Sequence, residues 1–467
     1  NKKMTLTTSN VTSGFIDLAT FDEIEKYLYG GSDATAYFVR ETRKSTWFTQ
    51  VPVALSRSSG EAKFGQQCSW SISRAGDYLL HSWLRATLPE IKDSSGSFDS
   101  CGNTADSVKR WCRNVGHNLI EECAITFNDL VAARFDNYHL DFWTAFTVPS
   151  SKRVGYNNMI GNVSSLNDPA VGILDPGTVV GNRKKYTINV PLPLFYTRDS
   201  GVALPTAALP YNDMRITIKL RKRSDLILVY KTGKWGNISS DDDSKDSANL
   251  EDVDLWCNYA IVSNDERKRM ACAPRDILIE QVQTAPTNSF NTVGSTRMDI
   301  RFSHAIKVLF FAVRNKTVPN EWSHYETDSL VNQDIEFNTA TQIGDGHVIS
   351  NKVSVDPIKS VSLVYENTNR LSRMGSDYFS LVNPYYHAPS IPEVTGYHCY
   401  SYSLDFASLD PMGSTNYGKL TNVSLIAEAD ERCALADDTA ATYEMIVTAV
   451  NNNIIRVSGG ALGFPVL

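Results

Sequence analysis

Met214–Leu220, MRITIKL, alternates strictly: Met214, Ile216, Ile218 and Leu220 share one face, and Arg215, Thr217 and Lys219 share the other. A helix repeats every ~3.6 residues and would scatter these apolar side chains, whereas a half-buried strand lines them up. Similar strand-length patterns recur in DYLLHSWLRATL, CAITFNDL, KYTINVPL, MDIRFSHAIKVLFFAV, KSVSLVYEN, YHCYSYSLDF, YEMIVTAV and NNIIRVS. The stretches between them are rich in Pro, Gly, Asn, Asp and Ser, which supply turns. A chain of many short strands punctuated in this way is specified as all-β, built from sandwiches or jelly rolls.

Two stretches break the pattern and read as helical. In SGFIDLATFDEIEKYLYGG, residues Phe15, Leu18, Phe21, Ile24 and Leu28 recur at three- and four-residue steps, and Gly30 and Gly31 end the run. This predicts a short amphipathic arm ahead of the main body. The second, LVAARFDNYHLDFWTAF, spans residues 130–146 and is closed by Pro149.

At 467 residues the chain is longer than one core usually carries, so two domains are expected. An acidic stretch at residues 241–246 lacks the Gly and closing Glu of an EF-hand and reads as a solvated loop or linker. It places a boundary near residue 250. The expected organisation is an arm over 1–44, a first β domain over 45–250 and a second over 251–467. The two halves repeat in kind of content but not in sequence.

The formal net charge of −7 argues against a direct nucleic-acid role, which needs a basic face. The short basic runs at 183–185 and 221–223 read as solvated strand ends. Eight cysteines, at 68, 101, 112, 123, 257, 272, 399 and 433, form no C-x-x-C pair, and no Cys/His set has zinc spacing. Reduced thiols are the default for so few in so long a chain. No stretch reads as a signal peptide or a membrane span, so the sequons at Asn10, Asn162, Asn237, Asn315 and Asn422 are expected to go unused.

The strongest hint of chemistry is GSTNYGKL, residues 413–420, which nearly matches the phosphate-binding pattern G-x-x-x-x-G-K-[ST]. The match fails mechanically. Leu420 stands where a metal-holding hydroxyl is required, Thr421 comes one residue late, and the following LTNVSLI is strand-like rather than helical. A turn entering a strand is the better reading. The eight histidines form no H-E-x-x-H, and no G-x-S-x-G elbow occurs. His139 and Asp141, two apart on a helix, point in different directions. His304 reads as a core or interface histidine within an apolar strand. No catalytic, cofactor-binding or metal-binding residue is assigned, and an enzyme is not expected.

Longer stretches carry a more specific signal. SGFIDLATFDEIEKYLYGGSDATAYFVRE, WFTQVPV, RAGDYLL, GYNNMIGN, LPLPLFYTRDSGVALPTAALPYN, FSHAIK, YENTNRL and NNNIIR, together with the DPMGSTNYGKLTN turn, resemble the major capsid proteins of iridoviruses, nearest the invertebrate iridescent branch. The resemblance runs from about Ser13 to the end. The charged loops at 91–110, 236–252 and 428–442 depart from it, and the ending GALGFPVL is closer to the vertebrate-infecting members.

The resemblance implies a double jelly roll: two eight-stranded antiparallel β-sandwiches in one chain, with a short N-terminal helical arm and long surface loops. It further implies a homotrimer forming a pseudo-hexagonal capsomer of an icosahedral shell. Partners would be neighbouring capsomers, minor capsid proteins and a penton protein, with the inner face near an internal viral membrane. The virion would be the location and the host cytoplasm the place of assembly, with no cofactor. The rival reading is a jelly-roll carbohydrate-binding module, whose binding loops would be residues 322–325 and Asn383–His387, because fold alone does not separate the two.

Overall fold

The structure, a computed structural model, describes residues 5–40, 42–91, 108–167, 184–231, 234–238, 248–327, 334–336, 347–349, 355–434 and 441–464. It comprises two compact units, residues Asn1–Trp47 and Phe48–Leu467. Much of the charged loop at 91–110 and the acidic stretch at 241–246 fall outside the described residues.

The first unit carries two helices, Thr5–Ala19 and Glu23–Tyr29, where the sequence predicted one amphipathic run. Asp22 causes the break. Its side chain accepts from Glu23 N at 2.8 Å, and Glu25 accepts from Asp22 N at 3.3 Å, so a capping box starts a new helix. Phe15, Leu18, Ile24 and Leu28 are all exposed.

In the second unit the chain lays down two sets of eight principal strands. The first set is Phe48–Ala54, Gln67–Ser71, Tyr78–Leu88, Ile120–Phe127, Leu130–Asp136, Tyr186–Pro191, Met214–Leu220 and Glu251–Val262. The second set is Arg275–Thr284, Ser295–Ile300, Ala305–Asn315, Ile358–Tyr365, Thr368–Gly375, His398–Ser401, Val423–Ala429 and Tyr443–Ser458. Counting strands along each set, one sheet of each half runs 1-8-3-6 and the other 2-7-4-5. The two halves therefore share one topology despite dissimilar sequences, and every pairing among these strands is antiparallel. Packing the first strand beside the last is the rolled-up Greek-key connectivity of a jelly roll.

Glu251–Val262 pairs with both Phe48–Ala54 and Tyr78–Leu88. It lies on the C-terminal side of residue 250, where the sequence reading put the boundary.

Residues 130–146, expected as one helix, are half strand. Leu130–Asp136 pairs with Ile120–Phe127, and the helix runs Asn137–Thr147. Asn128 and Asp129, at φ 48° and 66°, form the two-residue turn that a tight hairpin needs. Asp136 then caps the helix, accepting from His139 N at 2.9 Å. LVAARF fits either period, and the Asn-Asp turn before it decides.

Alternation builds the cores. Ile216 and Ile218 lie in the first sandwich's core with Leu84, Leu255 and Ile125. Leu309, Phe311, Leu363, Leu425 and Val447 fill the second. His304 does not sit within the strand as expected. It precedes Ala305–Asn315 in a left-handed conformation, φ 62°, half-buried.

Candidate assembly surfaces

The two sandwiches meet over an apolar seam. The helix Asn137–Thr147, from the connection between the first half's fifth and sixth strands, seats Phe142, Trp143 and Phe146 against the second half. They pack on Val308, Phe310, Ala312, Ile446 and Val450, which lie on the face opposite Leu309, Phe311 and Val447. The Phe146 and Phe310 rings stack at 5.4 Å between centroids. The seam is thus a hydrophobic core between sandwiches, which fixes the halves as one body.

Charged groups buried around the seam are paired, and two of the pairs, Arg198 with Glu280 and Arg110 with Glu321, cross it. Lys307, the one charge in AIKVLFFAV, is fully buried by a bulge between Ile306 and Val308 and reaches Glu280 at 2.6 Å. Arg198 from the first half meets the same carboxylate at 2.9 Å and lies 3.5 Å over the Trp143 ring. Burial pushes the Arg198 pKa down, and Glu280 pushes it back up in part. Residues 318–325 form a plug into the first half. Glu321 pairs with Arg110 at 3.1 Å and accepts from Arg113 N at 2.9 Å. Trp322 is held between the guanidinium groups of Arg221 and Arg314, at 3.4 and 4.1 Å, and donates to Asp225 O at 2.8 Å.

Asp141 is the polar hub. It accepts from His117 Nδ1 at 2.6 Å, Ser323 Oγ at 2.6 Å and Tyr325 Oη at 3.0 Å. The far nitrogen of His117 lies 2.6 Å from Tyr156 Oη. Sequence reasoning missed this cluster, because its members come from four separated segments with no spacing to mark them. The parts resemble a hydrolase triad, but the wiring differs. Ser323 and His117 both end on the same carboxylate, so no base faces the hydroxyl. The adjoining cavity is only about 110 Å³. Burial, with Asp141 adding to it, pushes the Tyr156 and Tyr325 phenols far up, so both stay neutral donors. His139 points away from Asp141, between Phe135 and Trp143, as its helix position requires.

The GSTNYGKL stretch is a turn. Gly413 adopts φ +115°, and a Cβ there would meet Tyr402 O at 2.9 Å. Thr415–Asn416 pairs with Ala305 and Ile306, and Tyr417–Lys419 forms a single 3₁₀ turn. No helix follows, only the strand Val423–Ala429. The Thr421 hydroxyl, which would have to serve a metal, is bonded to Glu366 at 2.7 and 2.8 Å. Tyr417 is buried with its hydroxyl 2.6 Å from that of Tyr402. Such a segment feeds a strand and cannot wrap a phosphate.

Of the two loops weighed for sugar binding, residues 322–325 are largely buried in the junction. In Asn383–His387, Asn383 and Pro384 are buried, while Tyr385 and Tyr386 stand out at 69% and 71% exposure. Leu381 and Val382 beside them are also exposed, making an apolar patch. Among the described residues, no group of three or more His, Cys, Asp or Glu could hold a metal ion. The seven described cysteines are free, and Cys101 lies outside the described residues. No helix among the described residues is long and apolar enough to cross a membrane.

Comparison with known proteins agrees with this picture. Residues 36–262 match the family described as major capsid protein N-terminus, and residues 266–463 match large eukaryotic DNA virus major capsid protein. The chain is 55% identical to the major capsid protein of Costelytra zealandica iridescent virus, covering 99% of this chain and all of the relative. Identity is 46% with the major capsid protein of Lymphocystis disease virus 1, over 98% of this chain and 99% of the other. The PBCV-1 VP54 structure superposes with a TM-score of 0.71 at 19% identity, over 92% of this chain and 100% of that one, which establishes a shared fold. The double jelly roll, the two family matches and the full-length relatives converge on one assignment: the chain belongs to the major capsid proteins of large eukaryotic DNA viruses, on the iridescent-virus side of that family.

Proposed function

We propose that three copies of this chain associate into a pseudo-hexagonal capsomer that tiles the icosahedral shell of the virion. The observation that carries this reading is the repeated 1-8-3-6 and 2-7-4-5 strand order in two halves joined by an apolar seam. Two like lobes per chain turn a threefold ring into six nearly equivalent positions, a shape that packs a flat facet. Sedimentation of the purified chain at micromolar concentration tests it. A species of three chain masses is expected, and a stable monomer overturns the reading.

On this proposal the first jelly roll ends at Val262 and the second begins at Arg275, with the arm ahead of both. The arm carries exposed Phe15, Leu18, Ile24 and Leu28, so it needs a covering surface. We place it at the inner base of the capsomer, towards minor capsid proteins or the internal membrane side. Antibody labelling of the arm on intact particles would contradict that placement. Minor capsid and penton proteins are the further partners, and assembly takes place in the host cytoplasm. The net charge of −7 supports a shell that does not bind the genome directly. No catalytic, metal or cofactor residue is part of this function.

A further inference from the structure

The junction between the sandwiches buries more positive charge than negative. Lys307 and Arg198 both meet Glu280, at 2.6 and 2.9 Å, and among the described residues neither forms an ion pair with a second carboxylate. Two cations on one carboxylate leave one positive charge uncompensated. Lys307 is fully enclosed, and its ammonium also donates to Ser408 O. The shortfall therefore falls on Arg198, whose side chain is 10% exposed and whose Nε lies against Glu280 without completing a hydrogen bond. Its field reaches His139, where burial, with Arg198 adding to it, opposes protonation. Buried charges are ordinarily paired, so a surplus of this kind calls for an anion.

Arg198 lines a cavity of about 550 Å³, within the ~300–1,000 Å³ range of small-molecule sites. The cavity runs beside the seam. Trp83, Trp143, Met159 and Pro193 of the first half and Pro389 of the second are among its walls. No Asp, Glu or Lys lines it among the described residues, so Arg198 is the one permanent charge there. The guanidinium carbon lies 3.5 Å from the centre of the Trp143 ring, which holds the group in one orientation before any ligand arrives. Met159 is 39% exposed, so the cavity opens to solvent on its side.

We propose that this cavity binds a small amphipathic carboxylate, with its head paired to Arg198 and its apolar tail lying along the Trp and Pro walls. A guanidinium matches a carboxylate through two parallel donors. Glu280 engages Nε, which leaves the terminal nitrogens of Arg198 for a second carboxylate. An inorganic anion would leave the apolar walls without a partner, and an uncharged hydrocarbon would leave the guanidinium without one. A ligand seated there touches both halves, so occupancy stabilises the folded chain. The inference concerns a ligand of the single chain and does not depend on the trimer.

Calorimetry of sodium octanoate titrated into the full chain tests the proposal, with tryptophan fluorescence as a second readout because Trp83 and Trp143 line the cavity. Saturable binding at one site per chain is expected, with a higher thermal midpoint when octanoate is present. Octanol has the same tail and no charge, and acetate has the charge and no such tail. Each should bind at least ~10-fold more weakly. Arg198→Met should weaken octanoate at least ~10-fold and leave octanol unchanged. Arg198 also meets Glu280, so Met159→Glu serves as a second variant. It leaves that ion pair in place, sits at a partly exposed position and sets a like charge at the mouth, and it too should weaken octanoate and spare octanol. Octanol binding as tightly as octanoate would mean a plain apolar cavity and overturn the proposal. Acetate binding as tightly would mean a site for small anions only and overturn it as well. So would the absence of saturable octanoate binding, or binding that survives both variants.

Discussion

Replacing Glu280 with Gln tests how the halves are locked together. The carboxylate lies between Lys307, whose side chain is 0% exposed, and Arg198, at 10%. Gln keeps the shape and removes the charge, leaving two buried cations facing each other without a counter-ion. Breaking a buried pair in this way costs about 3–5 kcal/mol, more than the pair contributes over an apolar replacement, since the stranded charge loses both water and partner. For a sandwich of roughly 200 residues that is a fall of ~6–20 °C in Tm. Urea unfolding with tryptophan fluorescence would measure it directly. Adding Lys307→Met to Glu280→Gln should return at least ~1 kcal/mol by removing one stranded charge. If Glu280→Gln unfolds within ~1 kcal/mol of wild type, the carboxylate is not holding these cations and the account of the junction fails.

Gly413→Val should destabilise by ~1–3 kcal/mol in chemical denaturation, since a β-branched residue resists φ +115° and its Cβ would crowd Tyr402 O. Lys419→Ala should stay within ~0.5 kcal/mol, and neither protein should bind ATP by calorimetry; saturable micromolar binding lost with Lys419→Ala would restore the nucleotide reading. Asp141→Ala should cost ~3 kcal/mol or more by stranding the His117, Ser323 and Tyr325 donors, read as a lower urea midpoint. Burial, with Arg198 adding to it, pushes His139 down to about 3, so below pH ~6.5 the unfolded chain takes a proton that the folded chain refuses. Stability should therefore fall by ~2 kcal/mol between pH 7.5 and 5, and His139→Phe should flatten that part of the slope.

The sheets were legible because burial writes itself into sequence with a period of two. MRITIKL became the strand Met214–Leu220 with alternating buried and exposed positions. The arm's helical period was legible too, but Asp22 split it through a capping box that the apolar spacing hides. Residues 130–136 failed for a related reason: five apolar residues in seven fit either period, and the hairpin turn at Asn128-Asp129 outweighed them. The junction was not legible. His117, Asp141, Tyr156 and Ser323 meet only because the chain folds two halves against each other, and no local pattern encodes that contact. Residues 322–325 show the same limit. Their aromatic content marks an interface, and the sequence cannot say whether its other side is a ligand or the chain itself.

Electron microscopy of the purified full chain tests the central claim most directly. A structural subunit of this fold predicts discrete pseudo-hexagonal particles, three chains and six sandwiches around one threefold axis, and facets or shells as concentration rises. Dispersed single chains at micromolar concentration, with no ring and no sheet-like assembly, would contradict it.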